Sequence, residues 1–479
     1  MHKFMNKAGE ACVNNRSRMI VQYTICLGAF LSNLSAGMFN IALVDIARTF
    51  DSTIPTAQWI VTAYLLVISI LLPVMGKLGD MLGRRKIHNI GYFIFMAGAI
   101  CCAVSPSLNG LISSRILQGI GAAMYQATNM ALIISVFPKE QRGKALGLIS
   151  TFVAAGSMIG PSLGGILIQW FSWRSNFWLL TALSLVAWMF AQRFIPKDKP
   201  EGSESRLDVP GAALFAISLT GLVTAVNLGA QWGWSSWQVA VLFILFGVGA
   251  ASFIGWCLSS RWERQGKGRL PFMKLDLFRD AGISVGIIIT IISYMAAFSA
   301  QLVLPVFLLS ELGIEPATAG LIMMGYPLSL IIFSPLSGNL SDKLGTFPLL
   351  SAGLLVMTTA LLVLGFVSPA YPIFFLILLI VLLGGSMGLI TPPNNSLVMS
   401  RTSKSDLGLI SSILALSRNL GMMFGTAAGG AMLALPGQAA GGLTGFRMIF
   451  VLNTVLVVIV YLTMIISFRL ARHKETLSS

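Results

Sequence analysis

Fourteen apolar runs of about 20 residues alternate with short polar loops along the whole chain. An α-helix needs about that length to cross a hydrocarbon core roughly 30 Å thick. Barrel strands would be shorter and would alternate polar with apolar side chains, so the pattern predicts helices and not sheet. The predicted spans are residues 19–44, 58–75, 87–105, 108–135, 146–168, 174–194, 209–230, 237–258, 281–309, 317–336, 347–367, 371–393, 408–434 and 446–468. The fold class is all-α, a polytopic membrane protein.

A repeat lies over this pattern. Gly76-Lys77-Leu78-Gly79-Asp80-Met81-Leu82-Gly83-Arg84-Arg85-Lys86 returns as Gly338-Asn339-Leu340-Ser341-Asp342-Lys343-Leu344-Gly345, with the two aspartates 262 residues apart. Each copy falls between two spans, the mark of parallel repeats that build two halves of a secondary transporter. The expected division is a cytoplasmic tail (1–18), a six-helix bundle (19–194), a linker with two extra spans (195–280), a second six-helix bundle (281–470) and a second cytoplasmic tail (471–479).

Composition agrees: 56% of residues are hydrophobic and 10% charged, with a mean hydropathy of +0.82. The net charge of +15 reads as topology. Of 32 Lys and Arg, 27 fall in the two tails and the even-numbered loops. Three (Arg48, Arg174, Arg447) fall in odd-numbered loops or at the span ends beside them, and Arg115 and Arg418 lie deep inside spans. The positive-inside rule then puts both termini in the cytoplasm of a cell membrane protein. A nucleic-acid partner is not expected, because the charges form no basic domain. The first apolar stretch is long enough to span and has no cleavage site, so it stays as the first helix.

No phosphate-cradling Gly-x-x-x-x-Gly-Lys-Ser/Thr loop is present, so transport energy must come from a gradient. Gly160-Pro161-Ser162-Leu163-Gly164 spells a serine-hydrolase motif inside an apolar span, and the three histidines (His2, His88, His473) lie at membrane edges or in tails. No enzyme, cofactor or metal site is expected, and the five cysteines are expected to be free thiols. Gly156, Gly160 and Gly164 instead line one face of the fifth span, where a neighbouring backbone can approach, and Pro161 favours a kink. Gly421, Gly425 and Gly429 repeat that face 265 residues later. Simple small-residue packing is the alternative for either helix alone.

These residues carry a resemblance. The loop Gly76–Lys86 resembles the motif between the second and third helices of the major facilitator superfamily, and Arg115-Ile116-Leu117-Gln118-Gly119-Ile120-Gly121 resembles its fourth-helix motif. Gly156–Gly165 looks like its antiporter motif, and fourteen spans are similar to its drug:proton antiporter branch. The resemblance implies a major facilitator fold with 14 transmembrane helices, two six-helix bundles plus two linking helices. It also implies proton-coupled efflux of amphipathic small molecules by a monomer; a physiological metabolite, peptide or lipid-linked solute is the other substrate class, and a membrane sensor a remote third. Gly76, Gly79 and Gly83 would allow a tight turn, and Asp80 would help to latch the halves, with Arg84, Arg142 or the start of the thirteenth helix as partner and Asp342 as a weaker counterpart.

Arg115 is costly to place, since a charge near bilayer centre costs roughly 2.5–3.5 kcal/mol on insertion scales. With Gln118, Ala122, Gln126 and Asn129 it forms a polar stripe on the fourth helix. It is either a structural cation held by carbonyls and glutamines or, as the resemblance implies, part of proton translocation. Relatives often carry an acid in the middle of the first helix, where this chain has Ser35. None of the 17 acidic residues lies deep in a span, so Asp45, at the outer end of the first, is the first choice for a proton-binding carboxylate. Two intramembrane cations without an anion point to a neutral, zwitterionic or anionic substrate. Cavity candidates are Asn33, Asn40, Tyr64, Gln118, Gln126, Asn129, Tyr294, Gln301, Tyr326 and Arg418.

Overall fold

The computed structural model describes residues 15–137, 142–196, 207–259, 275–367, 369–402, 407–433 and 444–478. These form fourteen long helices: α1 (Asn15–Thr49), α2 (Trp59–Leu82), α3 (Arg84–Ala103), α4 (Leu108–Val136), α5 (Arg142–Trp170), α6 (Trp173–Phe194), α7 (Val209–Trp232), α8 (Trp237–Leu258), α9 (Ala281–Val306), α10 in two segments (Pro316–Met323 and Gly325–Leu344), α11 (Thr346–Leu364), α12 (Ile373–Ser400), α13 (Leu407–Leu433) and α14 (Thr444–Ser478). Among the described residues, eleven of these helices are long and apolar enough to cross a membrane.

Close approaches fix the helix directions. A methyl added at Gly160 would stand 3.0 Å from Gly37 Cα, and one at Gly164 2.9 Å from the Met38 carbonyl, so α1 and α5 run parallel. A methyl at Gly421 would stand 2.8 Å from Tyr294 Cβ, and one at Gly425 2.9 Å from Ser299 N, so α9 and α13 do the same. In contrast, Gly91 faces Gly121 and Gly98 faces Gln118, which makes α3 and α4 antiparallel. Residues 261–265 apart therefore hold equivalent places in the two halves.

Two large apolar cores follow. Phe39, Tyr64, Phe95, Tyr125 and Phe177 centre the first, and Phe298, Leu302, Met422 and Met423 from the second half join it. Phe307, Tyr326, Leu354, Leu361 and Phe450 centre the other. The linking helices α7 and α8 pack on each other, and α7 also touches α2 and α13. Asp208 caps α7 by accepting from Gly211 N at 3.0 Å and also accepts from Trp256 Nε1 of α8 at 3.0 Å. Val241, Ile244 and Val248 of α8 are exposed, as a lipid-facing side requires.

Two local expectations need correction. The tenth span is broken at Met324, whose N–H is shared between the Gly320 and Leu321 carbonyls at 3.2 Å each, a local tightening toward a 3₁₀ turn. The loop element is mostly helix: Gly76 and Gly79 lie within α2, and Gly83 alone joins α2 to α3 with φ 97°. Gly345 repeats this between α10 and α11 with φ 83°. An L side chain rarely adopts such φ, so glycine makes each one-residue turn. Gly76 has open space where a Cβ would stand.

Candidate functional site

Arg115 is fully buried two turns into α4. Its Nε donates to the Ile60 carbonyl at 3.0 Å, and its Nη1 to Ser35 Oγ at 2.8 Å and Gln118 Oε1 at 2.5 Å. The guanidinium carbon lies 4.1 Å from the Tyr64 ring centroid and 4.7 Å from that of Phe39. Hydrogen bonds to a charged group contribute about 1.5–3 kcal/mol each, and a desolvated cation over an aromatic face about 2 kcal/mol. Neutral partners can therefore offset the insertion cost without a carboxylate. Nη2 is buried with no partner among the described residues. Tyr64 Oη and Ser32 Oγ are hydrogen-bonded at 3.1 Å, and Gln126 Nε2 donates to that same Ser32 oxygen at 2.5 Å. Tyr64 and Gln118 thus belong to the cage around Arg115.

One end of this network reaches a cavity of about 80 Å³ between the halves, whose walls include Asn33, Gln126, Asn129, Tyr294, Arg418 and Asn419. Asn33 also donates to the Ala29 carbonyl at 2.8 Å. Asn129 Oδ1 and Asn419 Nδ2 are buried without hydrogen-bond partners among the described residues. Such a volume holds a few waters and is well short of the roughly 300 Å³ that a drug-sized ligand requires, so this conformer is contracted around its centre. Gln301 and Tyr326 are buried and hydrogen-bonded to each other behind Tyr294, and neither lines that cavity. The side chains of Asn40, Arg142 and Asp342 lie outside the described part of the structure.

On the face opposite the N-terminus the halves close on each other. Gln169 of α5 donates to Glu315 Oε2 at 3.2 Å and accepts from Ala317 N at 3.1 Å. Gly165 presses against the Pro316 carbonyl. On the pseudo-equivalent seam the buried Gln58 amide donates to Asn227 Oδ1 at 3.0 Å and to the Thr426 carbonyl, against Gly430. Gly165 and Gly430 lie 265 residues apart, each the second glycine of a doublet. The spacing of four singles out Gly164, which meets α1, and not Gly165, which meets the other half; the repeated Gly-Gly pair is the sequence signal for the second contact.

At the opposite end of α2, Asp80 Oδ1 accepts from Arg84 Nε and Nη2, both at 2.9 Å, across the Gly83 turn. Gly79 packs toward Thr128 of α4. His88 is fully buried: Nδ1 is 3.0 Å from Thr128 Oγ1, and the ring meets Tyr92 edge-on at 5.0 Å. The sequence sets its depth near a membrane edge; the structure adds that the side chain faces α4 inside the bundle. Asp45 is half-buried past the far end of the first span; burial raises its carboxyl above the usual range and Arg48 pulls it back. Among the described residues Asp45 forms no ion pair with Arg115.

The halves share a frame but not its chemistry. Gly119 approaches the Tyr64 carbonyl as Gly384 approaches that of Tyr326. The same offsets carry Arg115, Gln118 and Ser35 onto Ile380, Leu383 and Ala296, all buried and apolar. Arg418, in turn, corresponds to Val153, and both line the cavity.

The profile described as Major Facilitator Superfamily matches residues 25–270 and 286–479. The chain is 32% identical over 413 residues to the riboflavin transporter RibZ of Clostridioides difficile, covering 86% of this chain and 87% of that protein. It is 30% identical over 421 residues to the multidrug resistance protein Stp of Mycobacterium tuberculosis, covering 88% and 76%. The crystal structure of the POT family transporter PepTSo matches the fold with a TM-score of 0.68 at 15% identity, covering 94% of this chain and 98% of that one. Duplicated helical bundles around a central cavity, the profile match and these relatives agree: the chain belongs to the Major Facilitator Superfamily, a family of membrane transporters and not of enzymes.

Proposed function

We propose that this transporter exports neutral, zwitterionic or anionic amphipathic small molecules in exchange for protons, as a monomer in the cell membrane with both termini in the cytoplasm. The observation that carries the reading is the cavity between the halves, which holds Arg418 and amide side chains, in a chain with no acidic residue deep in any span. A lipophilic cation would meet an unfavourable field there, whereas a carboxylate or a polarised carbonyl would find a cation and amide donors. Separation of the halves along the seams of Gly165 and Gly430 opens the site to one face, and closure there with opening around Asp80 exposes it to the other. Efflux relatives such as Stp favour a toxic compound; similarity to RibZ favours a second reading, in which the cargo is a metabolite.

The test is efflux from cells carrying or lacking the gene, with matched anionic, neutral and cationic fluorescent compounds and with riboflavin, before and after a protonophore. Gene-dependent efflux of the anionic or neutral compounds that collapses with the proton gradient is expected. Efflux of lipophilic cations alone refutes the charge argument, and efflux indifferent to the protonophore refutes proton coupling.

A further inference from the structure

Away from the seams, the outer side of the first bundle carries a groove of about 630 Å³ between the start of α3 and the last turns of α6. Its polar end holds Arg85, Lys86 and Asn89; its apolar wall holds Ile90, Phe93 and Trp188. Arg85 ties the two helices by donating from Nη2 to the Gln192 carbonyl at 2.5 Å. Gly83, at the start of α3, provides no side-chain cap, so the first N–H groups of this 20-residue helix point toward the same end. Asn89 is more than nine-tenths buried, and its Oδ1 has no partner among the described residues. Ile90 and Phe93, by contrast, are 38% and 52% exposed, one helical turn apart, and lead from the cationic end into the span.

We infer that this groove binds one anionic phospholipid, its phosphate held by Arg85 and Lys86 at the start of α3 and an acyl chain lying along Ile90, Phe93 and Trp188. Charge complementarity selects the anion, and the exposed apolar wall selects an amphipath over a free ion. On the second half, the groove of Phe333, Leu336, Leu340 and Leu389 carries one cation, Lys343, and offers less to an anion.

Two basic residues at a membrane surface correspond to about 30-fold in affinity, from roughly 1 kcal/mol each. The experiment is native mass spectrometry of the full-length protein in detergent with phosphatidylglycerol or phosphatidylcholine of identical acyl chains. The expected result is about 30-fold preferential retention of phosphatidylglycerol, abolished in the Arg85→Ala, Lys86→Ala double variant and kept in Lys343→Ala. Arg85→Lys keeps the charge and must keep most of the preference, which separates recognition from damage to the fold. Brominated phosphatidylglycerol in nanodiscs must also quench less fluorescence in Trp188→Phe than in the unsubstituted protein. Equal retention of both lipids, a preference that survives the double substitution, or loss of the preference to millimolar inorganic phosphate at constant ionic strength overturns the proposal.

Discussion

Replacing Gly165 by alanine tests whether the far seam is a moving surface. The added methyl would collide with the Pro316 carbonyl and stand 3.0 Å from Pro316 C, backbone atoms that cannot rotate away. Overpacking of this kind costs about 1–3 kcal/mol, and it burdens only conformers in which α5 and α10 touch. A penalty of about 2 kcal/mol moves the ratio of closed to open conformers about 30-fold toward open on that face. Hydrogen–deuterium exchange read by mass spectrometry should show faster exchange in peptides spanning 54–60 and 313–320, with residues 84–90 unchanged. Gly160→Ala is the control: its methyl would stand 3.0 Å from Gly37 Cα inside one bundle, so it should lower the thermal midpoint without opening the seam. Unsubstituted exchange rates in Gly165→Ala, or equal opening in Gly160→Ala, would refute a hinge at this glycine.

Gly83→Ala forces an L side chain to φ 97° and should cost about 1–2 kcal/mol in thermal unfolding, whereas Gly76→Ala, in open space within α2, should be neutral or stabilise by up to about 1 kcal/mol. Arg115→Lys keeps the charge but loses the guanidinium fork that reaches Ile60 O, Ser35 and Gln118 at once; transport in proteoliposomes should fall by roughly tenfold or more, and near-normal rates would show that the cage is dispensable. If Asp45 carries the coupled proton, removing the positive charge that lowers its already raised carboxyl, as in Arg48→Ala, should move the acid limb of transport to higher pH, and Asp45→Asn should abolish that limb. An acid limb that stays in place in both variants removes Asp45 from the coupling. Arg418→Ala should reduce transport of an anionic substrate far more than that of a neutral one, measured on the same vesicles.

The helices were legible because about 20 consecutive apolar residues have few other stable forms in lipid, and every predicted span has a helix over it. The burial of Arg115 was legible from its cost, and Gln118 from its spacing one turn away. Ser35 was read only as a residue that cannot titrate; its hydroxyl proves to be an acceptor for Arg115, a contact across 80 positions that no local pattern encodes. For His88 the sequence carries depth but not direction: the Gly83 turn starts α3 at Arg84, and the rotation that turns the His88 ring, one turn into the helix, toward Thr128 of α4 is set by packing. The seam was illegible because glycines that meet their own bundle and glycines that meet the other look alike until helix rotation is known.

The two halves share a backbone and differ in where they place charge, which bears on how a proton could be coupled. The first half cages Arg115 with neutral groups, the second has Ile380, Leu383 and Ala296 in those places, and the second half's own cation, Arg418, stands at the cavity where the first has Val153. With no acidic residue deep in any predicted span, a proton that crosses against the cargo must ride on an edge group such as Asp45, or an acidic cargo must leave its proton behind and cross as the anion. The second route gives Arg418 a defined task, because it favours the ionised form of a bound acid and so makes substrate charge part of the cycle. A series of substrates that differ only in carboxyl pKa separates the routes: rates that follow the substrate's ionisation and ignore Asp45→Asn assign the coupling to the charge of the cargo, whereas rates indifferent to substrate pKa return it to a proton on the protein.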